Sequence, residues 1–388
     1  MEGMNLKSWN ESAKAPNGGK RMEYKVLVVD DSALMRSELT KIIEKDEELK
    51  VVATARNGSQ VLDKIRRFHP DVVTMDINMP IMDGIEALKQ VMENAPLPVV
   101  MISSLTQEGA EETMDALNLG AFDFIAKPSG SISLDIATQG KIIRLKLKTA
   151  ATSRSRWSLR KRITARPPAI RKPIVSQRSV RRSPIIRSGL RGAVPKKGIV
   201  AIGVSTGGPK TLMSILPQIP ADFSGSILIA QHMPENFTLS FANRLNKVCS
   251  LHVKEAENGD IVEPGTIYVA PGGKHMKVKN RNNRLLMLEI VDDIPSKIYK
   301  PSVEVLFESL LENIGTNWLG VMLTGMGSDG ARALTQLRKM GGHTIAESEE
   351  SCVVFGMPGK VVEMGGAEYV LSEHEIASKI VEISGGLA

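Results

Sequence analysis

Short apolar runs recur along the whole chain, and most of them stop at an acid, a glycine or a serine. In the first half these are YKVLVVDD, KVVATARNG, DVVTMDINMP, PLPVVMISS and AFDFIAKP; in the second they include GIVAIG, SILIA and WLGVMLTG. Runs this continuously hydrophobic do not suit a strand with one face in water, so they predict parallel strands covered by helices on both sides. Between those of the first half lie stretches of helical period, SALMRSELTKIIEKD, SQVLDKIRRF, IEALKQVME and AEETMDALNLG. Residues 23–149 are therefore expected to form a five-stranded doubly wound α/β domain. Residues 198–388, where strands again alternate with helices, are expected to form a second parallel-sheet α/β domain.

A chain of 388 residues exceeds what one core usually supports, which agrees with two domains. What joins them is set by the charge distribution. The net charge is +7, yet residues 151–197 hold fifteen of the 50 lysines and arginines and none of the 43 acids, so the rest of the chain is net acidic. Broken by prolines and serines and lacking any sustained period, residues 150–197 read as a basic, extended linker. Contact with anionic lipid or nucleic acid through it would be non-specific. Residues 1–22 form a polar extension without the apolar core of a signal peptide, and no apolar stretch is long enough to span a bilayer. A cytoplasmic protein, not integral to the membrane, is expected. Cys249 and Cys352 show neither zinc spacing nor a CxxC pair and are expected to be buried thiols.

In the first domain Asp30, Asp31 and Asp76 all stand at strand ends, so three carboxylates should meet in one crevice. Such a cluster repels itself unless a cation neutralises it, and an all-oxygen set suits Mg²⁺. The ordered set DD, MDINMP with DG after it, ISS and AKP resembles the receiver domain of two-component response regulators, a flavodoxin-like fold. The resemblance implies that Asp76 accepts a phosphoryl group from a histidine kinase of the chemotaxis type. It also implies that Asp30 and Asp31 help hold Mg²⁺, that Lys127 contacts the phosphate, and that Ser103 and Phe124 are the switch pair. Physically, a carboxylate nucleophile beside a cation and a lysine suits phosphoryl transfer.

In the second domain GVSTGGP, AQHMP and GMGSDG follow strands and bring Ser205, His232 and Asp329 to the carboxyl edge of one sheet. A serine before a helix is most often a cap and needs a base to be a nucleophile. His232, directly after SILIAQ, is the best candidate for that base. His275, after a strand and a glycine turn, is the competitor and is assigned to substrate contact or structure; His69, His252, His343 and His374 sit away from the site. Asp329 would hold the imidazole in its useful tautomer. The order Ser, His, Asp and the GVSTG spacing differ from the usual α/β-hydrolases.

The segments IGVSTGGP, QHMPENFTLSFANRLN, YVAPGGKHM, KPSVEVLFES, MLTGMGSDGA and VVFGMP are similar to the catalytic domain of the chemotaxis protein-glutamate methylesterases, the CheB family. The resemblance implies a Ser205–His232–Asp329 triad, an oxyanion hole that includes the backbone N–H of Met326, and Thr206 as a supporting hydroxyl. It further implies no catalytic-domain cofactor, hydrolysis of glutamate γ-methyl esters on the cytoplasmic domains of methyl-accepting chemoreceptors, deamidation of receptor glutamines in some members, and a receiver that covers the crevice until Asp76 is phosphorylated. Three alternatives stand beside it: the same hydrolase acting on a receptor of another pathway, a non-catalytic binding module, and a DNA-binding regulator. The last lacks a compact helix-turn-helix after the linker, so specific nucleic-acid binding is not expected.

Overall fold

A computed structural model describes residues 23–127, 140–153, 198–281, 285–292, 294 and 296–386. The polar extension 1–22 and linker residues 154–197 lie outside the described residues. The first domain runs β1 (Tyr24–Val29), α1 (Ala33–Ile43), β2 (Leu49–Ala55), α2 (Val61–Phe68), β3 (Val72–Asp76), α3 (Gly84–Asn94), β4 (Val99–Ser103), α4 (Gln107–Leu119), β5 (Asp123–Ala126) and a final helix, α5, over residues 140–153. Its five strands are all parallel in the order β2-β1-β3-β4-β5. Strand order reverses between β1 and β3, which opens a crevice at their carboxyl ends where Asp30 and Asp76 stand. Helix starts follow local chemistry: Ser32, Asp83 and Thr106 each accept a backbone N–H three residues on, capping α1, α3 and α4. Helix α5 continues past the expected boundary at 149. Its Ile143, Leu147, Ala150 and Ala151, at helical spacing, are buried with Val26, Ile42 and Phe122, so this turn belongs to the domain rather than to the linker.

The second domain contains β6 (Ile199–Val204), α6 (Gly208–Ile215), β7 (Ser226–Gln231), α7 (Phe237–Val248), β8 (His252–Glu255), β9 (Thr266–Val269), β10 (His275–Arg281), β11 (Leu285–Val291), α8 (Val303–Ile314), β12 (Leu319–Met322), α9 (Ala331–Lys339), β13 (His343–Glu347), α10 (Met357–Glu363), β14 (Tyr369–Leu371) and α11 (Glu373–Gly386). Seven strands form a parallel sheet in the order β14-β13-β12-β6-β7-β9-β8. The sequence pattern gave no sign of β10–β11, an antiparallel ribbon that buries Met276, Val278, Leu286 and Leu288 in the core around α8. Every residue of β6 and β7 is buried, and each of their valine, leucine and isoleucine side chains contributes about 1.5–3 kcal/mol. The sheet order reverses between β6 and β12, again placing a crevice at the carboxyl edge.

Candidate active site

Ser205 follows β6, His232 follows β7, and Asp329 lies in the turn between β12 and α9, so the reversal point gathers the three residues. His232 Nδ1 is 3.1 Å from Ser205 Oγ, and His232 Nε2 is 2.9 Å from Asp329 Oδ2. One nitrogen thus faces the hydroxyl and the other the carboxylate, so an Nε2–H donated to Asp329 leaves Nδ1 free to take the serine proton. Backbone pairing continues past the strand ends and fixes the frame: Ser205 N donates to Thr324 O and His232 N to Val204 O. Gln231 ties the two turns together, because its buried side-chain amide donates to Ser205 O at 3.0 Å and to His232 O at 3.1 Å.

Asp329 sits at the start of α8. Oδ2 also accepts from Val303 N at 2.6 Å, while Oδ1 accepts from Ser302 Oγ at 2.9 Å and Glu304 N at 3.2 Å. Burial works to raise its pKa, but the hydrogen bond and charge of His232 and the donors of Val303 and Ser302 carry it below the usual carboxylate value. The helix N-terminus favours the same anion. Behind it, His275 is fully buried and its Nδ1 accepts from Ser302 N at 3.2 Å, which gives this histidine a structural place behind the carboxylate.

The turn carrying Met326 lies directly over the serine, since a Cβ on Gly325 would stand 2.8 Å from Ser205 Cβ. The turn is held from beneath by Glu347, whose buried carboxylate accepts from Thr324 N at 2.8 Å and Ser351 Oγ at 2.9 Å. On the other side Gly207 has φ +81, a conformation that admits the sharp turn into α6. Tyr299, which carried no signal in the sequence, stacks on the His232 ring with centroids 4.2 Å apart and planes inclined by 7°.

In the first domain Asp30, Asp31 and Asp76 bring one carboxylate oxygen each within 4.8 Å of one another. Lys127 Nζ lies 2.8 Å from Asp76 Oδ1 and 3.4 Å from Asp30 Oδ2. Burial raises Asp76 to about 6 against the pull of Lys127, and raises Asp30 as well. Asp30 Oδ2 is buried and receives no hydrogen bond. A buried carboxylate oxygen offset only by the Lys127 ammonium at 3.4 Å, within an all-oxygen set, fits a hard divalent cation. Ser103 is buried and its Oγ donates to Gly109 O at 2.9 Å, close by on α4.

Phe124 does not face solvent. It stacks on Phe237 of the second domain with centroids 4.7 Å apart. Around this stack the two domains share a contact surface: Arg244 Nη1 pairs with Asp115 Oδ1 at 2.7 Å, and Asn236 Nδ2 donates to Leu105 O at 2.8 Å. Two contacts reach the candidate site itself. Thr206 Oγ1 donates to Asp123 Oδ2 at 2.7 Å, and Thr149 Oγ1 of α5 approaches Met326 Sδ at 3.0 Å. The Thr206 hydroxyl is thus committed to the first domain in this arrangement.

Fold and sites together define a two-part class of protein, an acid-cluster receiver domain ahead of a parallel-sheet α/β hydrolase domain. The CheB methylesterase family model matches residues 200–380 and the response regulator receiver domain model residues 26–138. A protein-glutamate methylesterase/protein-glutamine glutaminase of Caldanaerobacter subterraneus subsp. tengcongensis is 45% identical over 365 residues, covering 93% of this chain and 97% of that one. A relative of the same name from Halalkalibacterium halodurans is 45% identical over 358 residues, with 92% and 97% covered. The crystal structure of the Thermotoga maritima CheB methylesterase catalytic domain is 41% identical, covering 48% of this chain and 98% of that chain, with a TM-score of 0.47. The response regulator domain of Thermotoga maritima CheB is 48% identical, covering 34% and 97%, with a TM-score of 0.32. The chain belongs to the CheB methylesterase family, in the form that carries an N-terminal receiver domain.

Proposed function

We propose that this protein hydrolyses glutamate γ-methyl esters on the cytoplasmic domains of chemoreceptors, releasing methanol, and that phosphorylation of Asp76 by a chemotaxis-type histidine kinase controls the reaction. The relatives' names supply the substrate class. The observation that carries the chemistry is the hydrogen-bonded line from Ser205 through His232 to Asp329. His232 Nδ1 takes the proton as Ser205 Oγ attacks the ester carbonyl, and Asp329 stabilises the imidazolium. The backbone N–H of Met326, over Ser205, is the assigned donor to the tetrahedral oxyanion. The imidazolium then protonates departing methoxide, and the same nitrogen activates water to release the acyl group. Glutamine deamidation, which the relatives' names also include, follows the same route with ammonia leaving, and leans harder on His232 as acid.

Regulation rests on the contacts between the domains. Phe124, Asp123 and Thr149 of the receiver touch the elements that carry His232, Ser205 and Met326, so this packing holds the site covered. Phosphorylation acts by favouring the arrangement in which these contacts are released. Methanol release from methylated receptor fragments is expected to rise on adding a small-molecule phosphoryl donor with Mg²⁺, and the rise should vanish in Asp76→Asn. A rise that survives Asp76→Asn would remove Asp76 from the switch.

Asp30, Asp31 and Asp76 would hold Mg²⁺, which when bound neutralises charge beside the acceptor carboxylate. Because the folded pKa of Asp76 lies above the unfolded value, stability is lost as pH rises through about 6 and the carboxylate ionises. A cation bound to the ionised cluster offsets that loss. Mg²⁺ at tenfold its Kd should therefore raise Tm by a few degrees near pH 8, and by progressively less below the Asp76 pKa. A shift of equal size near pH 5, read by differential scanning fluorimetry, would contradict this account.

A further inference from the structure

The two hydrogen bonds of His232 leave one motion open. Nδ1 is bound to Ser205 and Nε2 to Asp329, and two contacts define a line about which the ring can still tilt. Tilting turns the in-plane Nδ1 lone pair out of line with the serine hydroxyl. Tyr299 lies against one face of the imidazole, nearly parallel at 4.2 Å between centroids, and blocks that tilt on its side. The tyrosine lies between two neighbours of the site. Three residues on, Ser302 caps α8 and donates to Asp329, and a Cβ on Gly327, in the Met326 turn, would lie 3.5 Å from the Tyr299 hydroxyl oxygen. One ring thus spans the base, the acid's anchor and the turn over Ser205. Burial and the nearby Asp329 charge raise the Tyr299 pKa, so the stacked ring is neutral.

We propose that Tyr299 is a positioning residue for the esterase reaction, holding the His232 imidazole in the plane that lets Nδ1 accept the Ser205 proton. The proposal rests on the triad reading above, and goes beyond it by assigning a fourth side chain whose ring, rather than its hydroxyl, does the work. Aromatic stacks of this kind lie in a range that converts to a rate loss of roughly two- to tenfold.

The test uses the full chain, phosphorylated, with methanol release from methylated receptor fragments as the assay. Tyr299→Leu should lower kcat by that factor with KM unchanged, and Tyr299→Phe, which keeps the ring, should retain wild-type kcat. An independent readout is the His232 ring-proton resonance, which a ring stacked at this distance shifts upfield; the shift should persist in Tyr299→Phe and disappear in Tyr299→Leu. Tyr299→His, a planar replacement, serves if the leucine variant does not fold, and should keep most of kcat. A rise in KM with kcat intact overturns the proposal in favour of a substrate contact, and equal loss in the leucine and phenylalanine variants overturns it in favour of the hydroxyl. Absence of the upfield shift in wild type overturns it outright. Ser205→Ala run in parallel separates the two readings. If that variant stays active the triad itself fails, whereas an inactive Ser205→Ala beside a fully active Tyr299→Leu removes only the role of Tyr299.

Discussion

Ser205→Ala is expected to lower methanol release by about ten-thousandfold or more while binding of the methylated receptor persists, because the alanine removes the hydroxyl that His232 Nδ1 faces. Asp329→Asn should cost about as much, on the order of ten-thousandfold in kcat, for a different reason. Both oxygens of Asp329 accept from backbone N–H groups, Val303 N on one and Glu304 N on the other. An asparagine must therefore turn its own NH₂ toward a donor in either orientation, and turned toward His232 it forces the proton onto Nδ1, the wrong nitrogen for a base. The same mismatch should lower Tm, which Ser205→Ala should not. Single-turnover methanol release with thermal melts of both variants checks the pair of expectations. A Ser205→Ala protein that kept even about a tenth of wild-type activity would take the serine out of the chemistry.

Strand-end chemistry was the part of this protein most open to reading from sequence. Buried strands announce themselves by unbroken apolar runs, and in a parallel sheet their carboxyl ends all lie on one edge, so Asp30, Asp76, Ser205 and His232 could be placed without knowing any distance. Asp329 was legible by the same rule through the turn after β12. The β10–β11 ribbon escaped because its alternation is short: Lys277 and Lys279 alternate with buried Met276 and Val278, Asn280 and Arg281 then break the pattern, and nothing local marks the partner strand. Contacts made only by tertiary packing left no trace at all. Tyr299 lies 67 positions from its stacking partner in number and reaches it only because α8 begins where Asp329 ends. Gln231 is an ordinary polar strand end until its amide is seen to bridge Ser205 and His232. Ser302 carries a local signal, a serine before VEVLF suited to cap a helix, but nothing in the sequence joins that cap to Asp329.

The two sites were read separately, and the distance between them is closed by the switch residues. Phe124, assigned to the receiver's signalling pair, is the residue that stacks on Phe237, five positions after His232 at the start of α7. The neighbouring Asp123 holds Thr206 beside the nucleophile, and is itself fixed by Lys146 of α5 at 2.9 Å. β5 and α5 thus touch the neighbour of Ser205 through Asp123 and the Met326 side chain through Thr149, so on the proposed switch a change in their packing has one residue or none to cross before it reaches the site.

Charge reversal at the edge of this interface should release it without phosphorylation. Asp115 is largely exposed on α4 and pairs with Arg244 of α7 at 2.7 Å, so Asp115→Arg sets two guanidinium groups against each other while leaving both domain cores untouched. After discounting for solvent, repulsion plus the lost pair shifts the covered arrangement by about 1–2 kcal/mol, or roughly five- to thirtyfold in the open fraction. Basal methanol release by unphosphorylated Asp115→Arg should rise by that factor, up to the level of the phosphorylated wild type, and the rise should shrink at high salt. The reciprocal exchange, Asp115→Arg with Arg244→Asp, restores an opposite-charge pair and should return the basal rate toward wild type. Such a cycle separates the interface from any effect on either domain alone, because each single reversal activates and only the pair restores. If Asp115→Arg leaves the basal rate unchanged, or if the double exchange is as active as the singles, the α4–α7 contact does not hold the enzyme in check, and the control proposed for Asp76 must run through another surface.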